Sequence, residues 1–173
     1  LVTVLFVSCS SDDDTPEPVN EEEVITTLTL TLAPNGGGTS ITLQTQDLDG
    51  DGPDAPIINV SGNLATGVTY NGTLVLLNET VNPPENITEE VEEEDLDHQF
   101  FYTLGGGLDV TTAYTNFDSE GNPLGTEFTL TAGEASSGTL TVTLRHEPTK
   151  PNTDLADAGG ETDIEATFNV TVQ

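Results

Sequence analysis

The sequence predicts an all-β protein: a single antiparallel, immunoglobulin-like β-sandwich that carries an acidic insertion and follows a disordered tether. Three observations favour this class. Apolar residues alternate with polar ones at period two, glycine- and proline-rich turns separate the alternating runs, and no long helical pattern intervenes. The 173 residues suit one domain of ordinary size.

The alternation begins just beyond Val24, where the predicted domain starts. Leucines at 28, 30 and 32 alternate with threonines, as expected of a strand with one buried face. Further strands are predicted from core-side residues at Ile41 and Leu43; Ile58 and Val60; Phe100, Tyr102 and Leu104; Phe128 and Leu130; Leu140, Val142 and Leu144; and Ile164, Ala166, Phe168, Val170 and Val172. In the last run, Asp163 and Glu165 fall on the opposite face.

A short segment from Leu64 to Tyr70 supports the sandwich. Its spacing is that of the tyrosine corner of immunoglobulin-like and fibronectin type III domains, in which a tyrosine hydroxyl bonds to the backbone upstream. The segment therefore predicts a hydrogen bond from Tyr70 to the preceding backbone.

The charge of the chain excludes one class of partner. Two Lys or Arg residues against 31 Asp or Glu give a formal charge of -29, which repels phosphate backbones. Nucleic acid is therefore not expected as a partner. Hydrophobic residues make up 34% of the chain and lie in ordered runs, which favours a folded domain with acidic loops over a disordered chain.

The N-terminus, LVTVLFVSC, resembles a bacterial lipobox, although Phe6 departs from the usual Leu or Val. The resemblance implies that residues 1–8 are the remnant of a signal peptide and that Cys9 is lipidated, so that acyl chains anchor the protein to a membrane. Residues 9–23 are acidic and contain two prolines, which predicts a solvated, lipidated tether. The β-sandwich domain would then span 24–173.

The residues after the cysteine, SSDDD, resemble the acidic surface-export signal of lipoproteins in the Bacteroidota; they are Ser10, Ser11, Asp12, Asp13 and Asp14. Most of the remaining chain resembles a flavobacterial surface lipoprotein family of unknown function, through the segments NEEEVITTLTLTL, DLDGDG, LLNET, EEVEEEDLDHQFFY, SGTLTVTLRHEP and AGGETDIEATFNV. This resemblance implies a lipid-anchored protein of the outer membrane that faces the cell exterior beside a TonB-dependent receptor. Members often carry the description of a type 1 periplasmic-binding fold, but the βαβ pattern of that fold is missing from this sequence.

The motif DLDGDG is a candidate calcium site. Asp47, Asp49 and Asp51 stand at alternate positions before Gly52, which can turn three carboxylates toward one point. The twelfth position, which is a bidentate Glu in an EF-hand, is Ile58 here, so the site would have to close through another group such as Asp54. The alternative interpretation is a solvated acidic turn.

Residues 85–97 form a dense acidic run that predicts an exposed excursion. Ile87 and Val91 are spaced for one face of a short helix, but Leu96 breaks that register, so no helix is predicted. The run is either a solvated face or a surface that collects cations or contacts a basic partner.

The two histidines form a second candidate metal site. His98 and His146 share the parity of apolar positions on their strands, so both are predicted to point toward the core, at strand ends beside Asp97 and Glu147. If these ends meet, two imidazoles and a carboxylate suit zinc or copper. The alternative is a pair of partly buried, hydrogen-bonded packing residues.

The sequence contains no GxSxG, HExxH or glycine-rich phosphate motif, and its sole cysteine is assigned to the lipid. We therefore expect a non-catalytic binding module rather than an enzyme, an accessory protein that captures a ligand or cation for a TonB-dependent receptor. The alternative is a structural or adhesive cell-surface module that calcium stabilises.

Overall fold

The computed structural model describes residues 23–50 and 52–173, and the predicted signal-peptide remnant, lipidation site and export signal lie outside these ranges. The chain is a β-sandwich of antiparallel sheets, which confirms the predicted all-β class. The strands are β1 Thr27–Pro34, β2 Ile41–Gln46, β3 Ile57–Val60, β4 Thr69–Asn78, β5 Glu85–Asn86, β6 His98–Gly105, β7 Val110–Tyr114, β8 Glu127–Ala132, β9 Ser136–His146 and β10 Glu161–Val172. Two short helices, α1 Ile87–Glu93 and α2 Leu155–Ala158, complete the described fold.

The strands form one larger and one smaller sheet. The larger has the order β3-β2-β1-β4-β8-β7, with β5 paired to β4, and the smaller has the order β10-β9-β6. Their apolar faces pack on each other: the ring of Tyr102 on β6 lies 3.9 Å from the ring of Phe128 on β8, measured between centroids. The hydrophobic core therefore lies between the two sheets.

The period-two pattern predicts most of the core correctly. The three leucines of β1 are fully buried, as are Leu140, Val142 and Leu144 of β9. The pattern is wrong at Ile58 and Leu104, which are 52% and 38% exposed. Ile58 lies on β3, an outer strand of the larger sheet, and Leu104 lies at the end of β6 beside a glycine turn, so neither is covered on its apolar face.

The predicted bond of Tyr70 is also present. Its hydroxyl oxygen accepts a hydrogen bond from the backbone N–H of Ala65, 2.8 Å away and five residues upstream. The ring itself is buried in the core, so the bond satisfies the one polar atom of an otherwise apolar side chain. The prediction of a tyrosine bonded to the backbone upstream is confirmed.

The acidic run contains a helix that its sequence did not predict. Ile87 and Val91 are buried, and the Thr88 hydroxyl accepts a hydrogen bond from the N–H of Leu76 on β4 at 2.8 Å. The glutamates of α1 point to solvent, as an exposed acidic excursion requires. Leu96 breaks the helical register because α1 has already ended before it. Neither described helix is long and apolar enough to cross a membrane.

Candidate metal centre

Two histidines and two carboxylates meet at one end of the smaller sheet. His98, His146, Glu23 and Asp163 each offer one ligand atom, and these four atoms lie within 4.8 Å of one another. His98 is the first residue of β6 and His146 the last of β9, and the two are directly paired across the sheet. Antiparallel pairing therefore brings together strand ends that are 48 residues apart in sequence.

Both histidines point inward, as their parity predicted. His98 is 0% exposed and His146 is 6% exposed. Their ring centroids are 4.7 Å apart, with an edge-on angle of 76° between the planes. The two imidazoles thus form one wall of a nearly dry pocket of ligand atoms.

The carboxylates of this cluster are not the ones that were predicted from the sequence. Asp97 and Glu147 are exposed, and they meet through their backbones, where the Glu147 N–H donates to the Asp97 carbonyl at 2.7 Å. Successive side chains of a strand point to opposite faces, so the neighbour of an inward histidine points outward. In their place, the cluster takes its carboxylates from Glu23 and Asp163.

A β-bulge turns Asp163 inward. The register of β10 against β9 shifts between Thr162 and Ile164, so Asp163 is the extra residue of the bulge. A bulge re-aims the side chain of its extra residue, and here it reverses the parity that predicted an outward Asp163. The Asp163 side chain is 1% exposed and lies 3.9 Å from His98 Nε2 and 3.7 Å from His146 Nδ1.

Glu23 enters the cluster from the other side of the sandwich. Its acidic sequence context predicted the last position of a solvated tether, but its side chain is 5% exposed. Its Oε1 lies 2.9 Å from His98 Nε2, and its Oε2 lies 3.3 Å from His146 Nδ1. One carboxylate therefore faces both imidazoles.

The contacts shift the pKa values of two members in opposite directions. Burial alone would raise the pKa of Glu23, but hydrogen bonds from His98, the backbone N–H and His146, with the charge of His98, lower it to about 2. Burial would lower the pKa of His98, but its contact with Glu23, the Glu94 carbonyl and the charge of Asp163 raise it overall. Without a metal, the site therefore favours a cation, a proton on His98, between its carboxylates.

The far side of the His98 ring is also fixed. His98 Nδ1 lies 3.1 Å from the carbonyl oxygen of Glu94, which can only accept, so this nitrogen carries the proton. That arrangement leaves Nε2, the atom facing the carboxylates, as the one that can bind a metal. Metal-binding histidines commonly hold their second nitrogen by such a bond to a backbone carbonyl.

A glycine lets β10 reach the cluster. Gly160, immediately before β10, has a φ of 69°, and a Cβ added there would lie 2.2 Å from the carbonyl oxygen of His146. Only glycine permits both the conformation and the approach. The close approach at Gly160 thus brings β10, and with it Asp163, beside His146.

The DLDGDG motif has a different local structure. The Asp47 carboxylate accepts hydrogen bonds from the N–H groups of Asp49 and Gly50, and the Asp49 carboxylate accepts one from the N–H of Asp54. These carboxylates therefore bond to the backbone of their own turn, as in an Asx-turn. Asp51 lies outside the described residues. Among the residues that are described, the one group of three or more possible ligands within reach is the histidine cluster.

Calcium binding at Asp47, Asp49, Asp51 and Asp54 stays a prediction. Calcium at a hundred times its dissociation constant adds about 2.7 kcal/mol to the free energy of unfolding, which a thermal melt detects. We expect the melting temperature to rise in calcium relative to chelator, and Asp49→Ala to remove the rise. Identical melting curves in calcium and chelator would show that the motif is only an acidic turn.

Comparisons with known proteins leave the chain without a match: no family model, no curated protein and no solved structure is similar to it at a significant level. The function of the protein therefore has to be inferred from the geometry and chemistry of the histidine cluster.

Proposed function

We propose that the protein is a non-catalytic metal-binding module that holds one divalent transition-metal ion, zinc in preference to copper, between Glu23, His98, His146 and Asp163. The observation that supports this most strongly is the convergence of four buried ligand groups, with the proton of His98 held on the nitrogen that faces away from them. Two imidazoles and two carboxylates are a ligand set that zinc accepts.

The charge of the cluster matches a divalent ion. Glu23 and Asp163 carry two negative charges in a site from which water is almost excluded. Burying such charges without a partner is costly, whereas a divalent cation held by neutral imidazoles makes the cluster neutral. A proton on one histidine compensates only half of this charge.

The four ligand atoms lie close enough to contact a single ion. One ligand atom from each residue lies within 4.8 Å of the other three. Zinc has no geometric preference from its d-electrons and accepts unequal ligand spacings, whereas copper(II) favours a square-planar or tetragonal arrangement. This chemistry supports zinc over copper.

The site resembles structural zinc sites more than catalytic ones. A catalytic zinc keeps one open position for water or substrate, whereas structural sites use four protein ligands. Here all four ligand groups come from the protein and are nearly inaccessible to solvent. This supports a binding or stabilising role over catalysis.

The biological setting is part of the proposal. We propose that the module is displayed outside the cell as an outer-membrane lipoprotein and that it serves a TonB-dependent receptor as an accessory protein. A buried ion exchanges slowly, which favours an ion that stabilises the module over one that is delivered to the receptor. The alternative, a structural or adhesive surface module, shares the same metal centre, and co-purification of a stoichiometric receptor from native membranes separates the two.

Zinc titration tests the proposed site directly. We expect the metal-free protein, carrying Cys9→Ser so that the thiol cannot bind metal, to take up one zinc ion per chain in calorimetry. Binding should persist at high salt, because a coordinate bond inside a buried site is little screened. Several weak ions that disappear as salt rises would mean that the acidic surface, and not the histidine cluster, binds the metal.

Lipid anchoring through Cys9 is tested in cells. We expect Cys9→Ala to move the protein from the membrane fraction to the soluble fraction, because the acyl chains are lost. Changing Asp12, Asp13 and Asp14 to Asn should leave the protein acylated but protected from protease added outside the cell. A Cys9→Ala protein that stays with membranes after carbonate extraction would contradict the lipoprotein assignment.

A further inference from the structure

Glu23 is the one ligand of the cluster that does not belong to the smaller sheet. His98, His146 and Asp163 lie on β6, β9 and β10, whereas Glu23 lies four residues before β1 of the larger sheet. A metal ion bound by all four groups would therefore join the two sheets across one end of the sandwich. It would do so at the point where the chain enters the domain.

Residues 23–25 form the entry segment of the domain. Among the described residues, backbone hydrogen bonds to the rest of the sandwich begin only at Thr26. The N–H of Thr26 donates to the Leu77 carbonyl at 2.9 Å, and the Thr26 carbonyl accepts from Asp47 at 2.7 Å. Upstream, Val24 is exposed and Ile25 packs only part of its side chain on the core. Within the described ranges, residues 23–25 make no backbone-to-backbone hydrogen bond, so the Glu23 carboxylate is their main polar attachment.

We infer that the metal acts as a latch: its binding fixes the entry segment, residues 23–25, onto the smaller sheet through Glu23, and its removal leaves only the contacts of Glu23 with the two histidines, so that the segment detaches more readily. The inference rests on the proposed metal site and adds a conformational role to it. Glu23 is the movable ligand because its segment lacks strand pairing, whereas both histidines are held in the paired strands β6 and β9 and Asp163 in β10.

The latch has a consequence for an anchored chain. Thirteen residues separate Cys9 from Glu23, and residues 23–25 join this linker when the latch opens. Three extended residues add up to about 10 Å of reach. In a lipid-anchored protein, loss of the metal would then lengthen the reach of the domain from its membrane by up to this amount.

Thermodynamic linkage makes the latch measurable. If bound metal raises the equilibrium constant for attachment of the segment through Glu23, attachment of the segment raises the metal affinity by the same factor. The fold-loss of zinc affinity in Glu23→Gln should therefore equal the fold-slowing that saturating zinc causes in proteolytic cleavage between Val24 and Ile25, which requires the segment to detach. We expect both factors to exceed about 100, because Glu23 contacts the ion itself and does more than orient another ligand.

The experiment uses the full chain with Cys9→Ser, and compares Glu23→Gln with the matched variant Asp163→Asn. Both substitutions remove one carboxylate ligand and keep its shape, but only the first belongs to the entry segment. In saturating zinc, Asp163→Asn should still protect the bond between Val24 and Ile25 from proteolytic cleavage, whereas Glu23→Gln should not.

The outcomes separate the latch from the metal site. One zinc ion bound by Cys9→Ser alone, with no change in the rate of proteolytic cleavage between Val24 and Ile25, overturns the latch and leaves the proposed site intact. Equal zinc affinity in Glu23→Gln and its parent also overturns the latch, and it reduces the proposed site to His98, His146 and Asp163. Absence of zinc binding to the parent protein overturns both proposals.

Discussion

Replacing His98 or His146 with Gln is expected to lower zinc affinity about 1,000-fold. Partners that only orient a ligand are worth about 10–100-fold in metal affinity, and a ligand that contacts the ion contributes more. Each histidine supplies one of the two nitrogen atoms of the site, and within the described residues no other imidazole is present to replace it. Calorimetric titration of zinc into each variant measures the loss.

Two surface variants are matched controls for this experiment. Asp97→Asn and Glu147→Gln each change a carboxylate one residue away from a ligand histidine, but both side chains are exposed. They should bind zinc like the parent protein, apart from a small screened effect of charge. Equal, weak and salt-sensitive binding in the parent, the histidine variants and the controls would mean that the histidines are packing residues only.

Zinc should also stabilise the folded protein. At a hundred times its dissociation constant, zinc adds about 2.7 kcal/mol, which raises the melting temperature of a domain of this size by about 5–10 °C. Protons compete for the imidazole nitrogens, so the rise should shrink as pH falls through the histidine range. Neither histidine variant should show the rise at the same zinc concentration.

The histidine half of the site could be predicted from sequence, and the carboxylate half could not. Side-chain alternation is a local rule, so His98 and His146 inherit the inward parity of the apolar residues on their own strands. Asp163 breaks the rule because a bulge adds one residue to β10 without an unambiguous mark in the sequence. The nearby Gly160, which permits the close approach of β10 to His146, is the one local hint.

Glu23 could not be predicted for a different reason. It is the last of three consecutive glutamates in an acidic stretch that has no periodicity, so no pattern distinguishes it from its solvated neighbours. Its position depends on the packing of the larger sheet against the smaller one. The strand β7 was not predicted either, because Val110 is its single buried residue and no alternation marks it.

Lys150 forms a second buried polar centre next to the histidine cluster. Its Nζ donates to the carbonyl oxygens of Asp95 and His98 at 2.7 and 2.6 Å and to Asp118 Oδ2 at 3.1 Å. The side chains of Lys150 and Asp118 are 7% and 0% exposed. One ammonium group therefore ties the end of the acidic insertion and the start of β6 to the loop that holds Asp118.

Replacing Lys150 with Met is expected to lower the free energy of unfolding by about 3 kcal/mol. Removing one partner of a buried ion pair leaves the other charge without compensation and costs about 3–5 kcal/mol. The lower end applies here because Asp118 keeps its bonds to the N–H groups of Glu120 and Asn122. Urea denaturation in the presence of chelator measures the change without a contribution from metal.

The same pair predicts a pH dependence. Burial alone would raise the pKa of Asp118, but hydrogen bonds from Asn122 and Lys150, with the charge of Lys150, lower it below its usual value. A carboxyl whose folded-state pKa is depressed stabilises the protein above its unfolded pKa of about 3.9 and loses this stability as pH falls through the folded value. As pH falls below about 4, the free energy of unfolding of Lys150→Met should therefore decrease less than that of the parent protein.

Arg145→Met is the matched control, because it removes the only other basic side chain and changes the net charge equally. Arg145 bonds to the Thr162 hydroxyl and has no carboxylate partner among the described ion pairs. Its loss should cost less than half as much as the loss of Lys150, and it should leave the acid pH dependence unchanged. If both variants lost the same stability, the effect would come from net charge, and the buried pair would have no special role.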